Sequence, residues 1–553
     1  MYKFLILFAA VLQCVSPWFY GRPDPGASSQ GGVWPLPLNF TTYDGTAPLT
    51  IDPGSFKFLY NSNCDIIDKA VKRYTKWMFP NPSTKLVGKA DLIMVHISFT
   101  GKCDSSYPQA DMDESYTISV TPGSSAALIS ANEVWGALRA LESFSQLVYL
   151  GLNNTYVVRC ASIYDKPRFG YRGAMLDTSR HWVSINVLKK MLDLMSMNKM
   201  NVFHWHLVDS ESFPYVSTKF PDLSRLGAYS EKHIYSPSDV QSVISHARLR
   251  GIRVVPEFDT PGHTGAWWGQ SNLLSKCYDH TGANNILANI IDPTKPENLQ
   301  FVKDFFAEAL TVFKDNSMHF GGDETSSYML ECWARNPDVT AWMQANGMGT
   351  DTSQLLNYFF KSLVKSVQDS RKGTQMIFWQ EVLDMGVAPP NSIAHVWKGD
   401  NMDEIMNEMA TVTGNGHQAI LSSCWYLSFI KYGAVWDSVT GDNMRSTGMY
   451  YQCDPTNFKG TQAQKDLVLG GVAALWSEFV DGTNMVQNFF PRASAVAERL
   501  WSEAKQTQDP DAAWPRLHEH RCRMMNRGYE VQPPNNPDYC PNEWQPAYVD
   551  VDI

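Results

Sequence analysis

From Pro167 onward the chain alternates between short apolar runs and longer segments of helical or irregular character, and this alternation limits the folds open to it. Eight runs stand out, at 172–177, 201–207, 253–258, 318–322, 376–380, 393–398, 419–424 and 472–476. Between them, Ser236 offers a cap before Pro237, and Val240, Val243, Ile244 and Ala247 form an apolar stripe that Gly251 ends. Val302, Phe305, Phe306, Ala309, Val312 and Phe313 form a second stripe. Eight strands interleaved with helices predict a (β/α)8 barrel, an α/β fold of the TIM type. A doubly wound open sheet is the alternative, but no GxGxxG follows the first run.

The part ahead of Pro167 reads differently. Strands are expected at 56–60, 92–98, 116–120 and 126–130, with a helix over 132–149 capped by Asn132. Residues 22–165 therefore form a small α+β domain and residues 166–553 the barrel. Residues 1–21 read as a signal peptide and leader: Lys3 precedes an apolar run from Phe4 to Val15, too short to span a bilayer. No later stretch is long enough for stable membrane insertion, so the chain is expected in the secretory pathway. Of ten cysteines, Cys14 lies in the leader and the rest are scattered without a CxxC, as structural disulfides would be. Their odd number leaves one thiol over. Asn39 and Asn153 each open a glycosylation sequon. With 44% hydrophobic and 18% charged residues the chain is no disordered segment. A formal charge of −10 argues against a nucleic-acid partner.

In a barrel of this kind the chemistry sits at the C-terminal strand ends. The eight runs bring there Arg172 with Asp177, His204 and His206 with Asp209, Glu257 with Asp259 and His263, and the pair Asp323–Glu324. They add Trp379 with Glu381, then Trp397, Trp425 with Tyr426, and Trp476 with Glu478. Acids and large aromatics on one rim fit a polar, aromatic-walled pocket better than a set of solvated side chains. The sharpest feature is His319-Phe-Gly-Gly-Asp-Glu. Two glycines directly after a strand permit a tight turn or a close ligand approach and set two adjacent carboxylates on the rim.

HFGGDE resembles the signature of glycoside hydrolase family 20. The likeness extends through DTSRHW (177–182), NVFHWHLVDSESFPY (201–215), GIRVVPEFDTPGH (251–263), WQEV (379–382) and PRASAVAERLW (491–501). Within that family the chain is similar to the animal lysosomal β-hexosaminidase subunits, nematode forms especially. The resemblance implies a retaining β-N-acetylhexosaminidase that removes terminal non-reducing GlcNAc or GalNAc from glycoconjugates or chitooligosaccharides. Its nucleophile would be the substrate's own acetamido group, passing through an oxazolinium intermediate.

Residue by residue, the resemblance makes Glu324 the general acid/base and Asp323 the group that holds the acetamido N–H. Arg172, supported by Asp209, would grip the sugar's O3 and O4. Trp379, Trp397 and Trp476 would cage the sugar, Tyr426 would donate to the acetamido oxygen and Glu478 would bind O4 or O6. His263 would stand behind the acid, with His204 and His206 as supports. Ser428 replaces the Asp or Asn of the family beside the 6-position, and no basic residue there favours sulfated or sialylated sugars. The resemblance, with the cysteine spacing, also implies the pairs Cys64–Cys103, Cys277–Cys332 and Cys522–Cys540. Cys424–Cys453 is a fourth resting on leftover partners, which leaves Cys160 free. A homodimer with Tyr432 reaching the partner's pocket is expected; no cofactor and no metal are.

Two other classes compete. A metal-dependent hydrolase could use His204-x-His206 with Asp209 and His263, but it leaves Asp323–Glu324 without a task; chelator sensitivity separates it. A non-enzymatic sugar-binding protein would keep the tryptophans but needs no acid; turnover of an aryl N-acetyl-β-glucosaminide separates that.

Overall fold

The structure, a computed structural model, describes residues 30–540 except 61–62, 81–85, 87, 102, 104–105, 152–153, 285–286, 326–327, 390, 429–449 and 534–538. The expected signal segment, Asn153 and Tyr432 lie outside the described residues. The N-terminal strands are β1 (Asn39–Thr42), β2 (Leu49–Thr50), β3 (Lys57–Leu59), β4 (Met94–Phe99), β5 (Tyr116–Val120), β6 (Ala126–Ala131), β7 (Val148–Leu150), β8 (Tyr156–Val158) and β9 (Ala161–Asp165). Six of them build a mixed sheet in the order β1-β9-β5-β6-β4-β3, and β2-β8-β7 form a small second sheet. The helices Asp65–Met78 and Val134–Leu147 pack on each other, and the second lies across β4, β5 and β6. That helix starts later than the sequence suggests, with Glu133 at its N-cap, because the Asn132 amide donates to Asp113 instead.

Eight parallel strands then close into a barrel: β10 (Tyr171–Asp177), β11 (Val202–Val208), β12 (Arg253–Phe258), β13 (Ser317–His319), β14 (Gln375–Trp379), β15 (Ile393–Val396), β16 (Gln418–Leu421) and β17 (Val468–Leu475). All eight expected runs supply a strand. β13 ends earlier than its apolar run, because Gly321 and Gly322 adopt φ of 70° and 98°, outside extended backbone. The helix Pro237–Arg248 has its expected start: Ser236 accepts the Asp239 N–H while Asp239 reaches back to the Ser236 N–H. One continuous apolar core joins the two parts, from Val95 and Leu138 to Ile252 and Met195.

The N-terminal domain packs on the face of the barrel where the strands begin. Glu114 is buried there between Arg139, at 2.7 Å, and Arg172, at 2.6 Å. Arg139 also donates to the carbonyls of Arg250 and Gly251, just before β12. Lys199, ahead of β11, donates to Asp165 and to the Tyr116 hydroxyl. This corrects the expectation for Arg172. It is the second residue of β10, fully buried, and its remaining N–H groups go to the Lys199 and Phe169 carbonyls. It stands at the opposite end of the strand from the rim and cannot reach a sugar there.

The sulfur atoms of Cys64–Cys103, Cys277–Cys332, Cys424–Cys453 and Cys522–Cys540 are paired, and Cys160 is a buried thiol. Asn39 is exposed on β1. Among the described residues no helix is long and apolar enough to cross a membrane.

Candidate active site

The rim opposite the N-terminal domain collects the acids and aromatics. After β13, the left-handed turn at Gly321 and Gly322 continues into Glu324, itself at φ 52°. This turn aims two neighbouring side chains differently. The Asp323 carboxylate sinks to 11% exposure, while that of Glu324 stays 46% exposed. The Glu324 N–H donates to Glu381 Oε1 at 3.2 Å, so its unusual backbone is tied to the start of the helix after β14.

His263, also left-handed at φ 54°, lies between three carboxylates. Its Nδ1 is 3.1 Å from Asp209 Oδ1, and its Nε2 is 3.4 Å from Glu324 Oε2 and 3.7 Å from Asp323 Oδ2. Burial opposes a charge on this imidazole, but Asp209 and Asp323 outweigh it and hold the ring protonated well above the ordinary histidine range. The hydrogen bond from His263 in turn holds the Glu324 carboxyl below the usual range of a glutamate.

Arg180 occupies the place expected of Arg172. It follows β10 in the loop DTSRHW, and its guanidinium bonds Asp209 at 2.8 Å, Glu211 at 3.0 Å and Asp177 at 3.2 Å. It also lies over the Trp476 ring at 5.0 Å. Asp177 ties this loop to the last strand by accepting the Ser477 N–H. Glu478 stands exposed just beyond, close enough to act on the charge of Arg180. The signal for Arg180 was present in the sequence: the residue after a strand's C-terminal end faces the rim, and one inside its first turn does not.

The aromatic wall is continuous. Trp379, itself fully buried, lies 6.3 Å from Trp397 and 6.0 Å from Trp476, and Tyr426 lies 6.4 Å from Trp397 and 6.5 Å from Trp476. Trp379 and Trp397 are anchored through their ring N–H groups. Trp379 Nε1–H donates to Glu257 and Trp397 Nε1–H to Glu381, which also pairs with Lys398. The Ser428 hydroxyl accepts the Trp476 N–H at 2.8 Å, so this departure from the expected Asp or Asn is engaged in holding the wall.

Beneath the wall lies a buried histidine cluster. Glu257 receives His204 at 2.7 Å and His206 at 2.8 Å, and His206 also meets Asp209 at 2.7 Å. Burial resists a charge on His206, yet Glu257 and Asp209 hold it protonated well above the ordinary range. His319 Nδ1 accepts the Gly321 N–H, which leaves its Nε2–H to face His395. His204, Glu257 and His319, or Asp209, Asp259 and His263, are close enough together to hold a cation. In each set a histidine already bonds a carboxylate, His204 to Glu257 and His263 to Asp209, and Arg180 supplies Asp209 with a further positive partner.

The rim thus brings together Asp209, His263, Asp323, Glu324, Trp379, Trp397, Tyr426, Trp476 and Glu478, and leaves out Arg172. Sequence reasoning had Asp259 and Glu381 on the rim but gave them no part, and missed Arg180. An aromatic-walled pocket with one half-exposed carboxylate beside one buried one can seat a sugar, protonate a leaving oxygen and oppose a positive charge.

Comparison with known proteins agrees with this geometry. A family model described as glycosyl hydrolase family 20, catalytic domain, matches residues 169–504, and one described as beta-acetyl hexosaminidase like matches residues 33–147. Beta-hexosaminidase A of Caenorhabditis elegans is 46% identical over 98% of this chain and 97% of its own. Beta-hexosaminidase subunit beta of Homo sapiens is 40% identical over 92% of this chain and 90% of its own. Among solved structures, the chitobiase of Flavobacterium johnsoniae is similar with a TM-score of 0.75 and 27% identity, over 90% of this chain and 73% of that one.

Proposed function

Given that this chain belongs to glycosyl hydrolase family 20, we propose that it releases terminal non-reducing GlcNAc or GalNAc with retention, using the substrate's acetamido group as nucleophile. The observation that carries this reading is the unequal pair after β13: Glu324 faces the opening while Asp323 is sunk beside it. A retaining enzyme's own nucleophile must reach C1 from the face opposite the acid; the sunken Asp323 supports instead the part of a counter-charge to a nucleophile that the substrate carries.

The sugar lies against Trp476, with its acetamido methyl between Trp379 and Trp397. Arg180 and Asp209 hold O3 and O4, Glu478 reaches O4 or O6, and the Tyr426 hydroxyl donates to the acetamido oxygen. Glu324, as the acid, protonates the glycosidic oxygen while the acetamido oxygen attacks C1 and the C1–O bond breaks. The ring so formed is cationic, and Asp323, accepting its N–H, supplies the opposing charge. Glu324, now a carboxylate, takes a proton from water as that water attacks C1 and the ring opens. Two inversions give retention. Orienting an internal nucleophile supplies up to roughly 7–11 kcal/mol of the barrier.

Neutral sugars are the favoured substrates, since the 6-position is bordered by Ser428 and by no described basic residue. Residues 22–165 and 166–553 are the two units of the mature chain, which works as a homodimer in the lysosome or outside the cell. Turnover of aryl N-acetyl-β-hexosaminides by the wild type and by Glu324→Gln tests the reading. The variant should fold and lose about 10²–10⁴ in kcat with a poor leaving group. Near-full activity of the variant on such a substrate would overturn it.

A further inference from the structure

Asp259 follows β12 directly and is 1% exposed. Its Oδ1 accepts the Gly322 N–H at 2.9 Å, and any side chain at Gly321 would collide with that same oxygen. The two glycines of HFGGDE therefore make room for Asp259 as well as turning the chain. Asp259 Oδ2 and Asp323 Oδ1 are both buried, and neither finds an N–H or hydroxyl donor among the described residues. The two carboxyl groups are instead in hydrogen-bonding contact with each other. Two acceptors can bond only if one of them carries a proton.

We propose that Asp259 is a positioning residue that keeps a proton and donates it in a hydrogen bond to Asp323, which thereby meets the sugar as a carboxylate of fixed orientation. The proposal rests on the reading of Asp323 as the acetamido partner. The surroundings decide which of the two keeps the proton. His263 and Glu257 act on both carboxyl groups, but the imidazolium stands 3.7 Å from Asp323, which keeps some contact with solvent, whereas Asp259 is buried further. Glu257 and Glu381 act on Asp323 as well, so the groups around the pair favour one negative charge, not two. Burial, then mutual repulsion, pushes Asp259 well above the ordinary aspartate range. One charge on a rigid pair, present before substrate arrives, is what a developing cation needs, because no reorientation is required during the reaction.

Kinetics of Asp259→Asn, Asp259→Ala and Asp323→Asn on an aryl N-acetyl-β-glucosaminide test this. Asparagine keeps a neutral donor toward Asp323 and an acceptor for the Gly322 N–H, so kcat should stay within a few-fold of wild type. Alanine removes a hydrogen bond to a charged group and should lower kcat about 10- to 100-fold with little change in KM. Infrared spectra with ¹³C-labelled aspartate should show a protonated carboxyl band at neutral pH that Asp259→Asn abolishes. This band decides the matter even if the alanine variant fails to fold. An asparagine variant as damaged as the alanine one, or no acid band, overturns the proposal. An active Asp259→Ala beside an inactive Asp323→Asn removes only the role of Asp259. A fully active Asp323→Asn removes the reading beneath it too.

Discussion

At the scale of single residues, the most informative contact is His263 to Glu324. As the proposed general acid, Glu324 must hold its proton, yet the charged imidazole of His263 holds its carboxyl below the usual glutamate range. The activity of the free enzyme, measured as kcat/KM, should therefore be confined to acidic pH and fall as Glu324 ionises. His263→Gln removes the positive neighbour, so the Glu324 pKa rises and the alkaline limb moves to higher pH, even as kcat drops. An alkaline limb that stays in place or moves down would show that another group sets it. Asp323 and Glu324 were legible in the sequence because two glycines after a strand leave few alternatives. Asp259 was not, because its meaning depends on a partner 64 positions away across two strand ends, a juxtaposition that no local pattern encodes.

Whole strands explain why Arg172 does not reach the rim. β10 carries Arg172 near its start and Asp177 at its end. At about 3.3 Å per residue these are roughly 16 Å apart, on opposite faces of the barrel. The two arginines should separate cleanly in experiment. Arg180→Lys loses the flat fork that meets three carboxylates at once, so KM should rise and kcat/KM fall by about tenfold or more, with little change in melting temperature. Arg172→Met leaves Glu114 buried with one ion-pair partner fewer, which should cost on the order of 3 kcal/mol of stability and leave the kinetics of the folded fraction as in wild type. Thermal unfolding beside steady-state kinetics distinguishes the two, and a kinetic defect confined to Arg172→Met would reverse the assignment. All eight barrel strands could be read from apolar runs because each is buried over nearly its whole length. The end of β13 could not, since Phe320 stays apolar and buried and still bonds the Ile377 carbonyl of β14, although the strand proper stops at His319.

Across the whole molecule, division of labour follows barrel polarity. The N-terminal domain covers the face where strands begin, with buried charge pairs such as Glu114–Arg172 and Asp165–Lys199, and leaves the opposite rim open. The existence of that domain was readable from its change of pattern. Its docking face was not, because the residues that make it are charged and look like surface in the sequence. The rim, left open, is where Trp476, Trp379 and the unequal pair Asp323 and Glu324 meet. The central claim is that the substrate, and no carboxylate of the protein, attacks C1. It is tested most directly by aryl N-acyl-β-glucosaminides whose acyl methyl carries none, one, two or three fluorines, with kcat measured for each. Fluorine weakens the carbonyl oxygen as a nucleophile, so the account predicts a steep, monotonic fall in kcat along the series. A flat series, with all four substrates turned over alike, would contradict it.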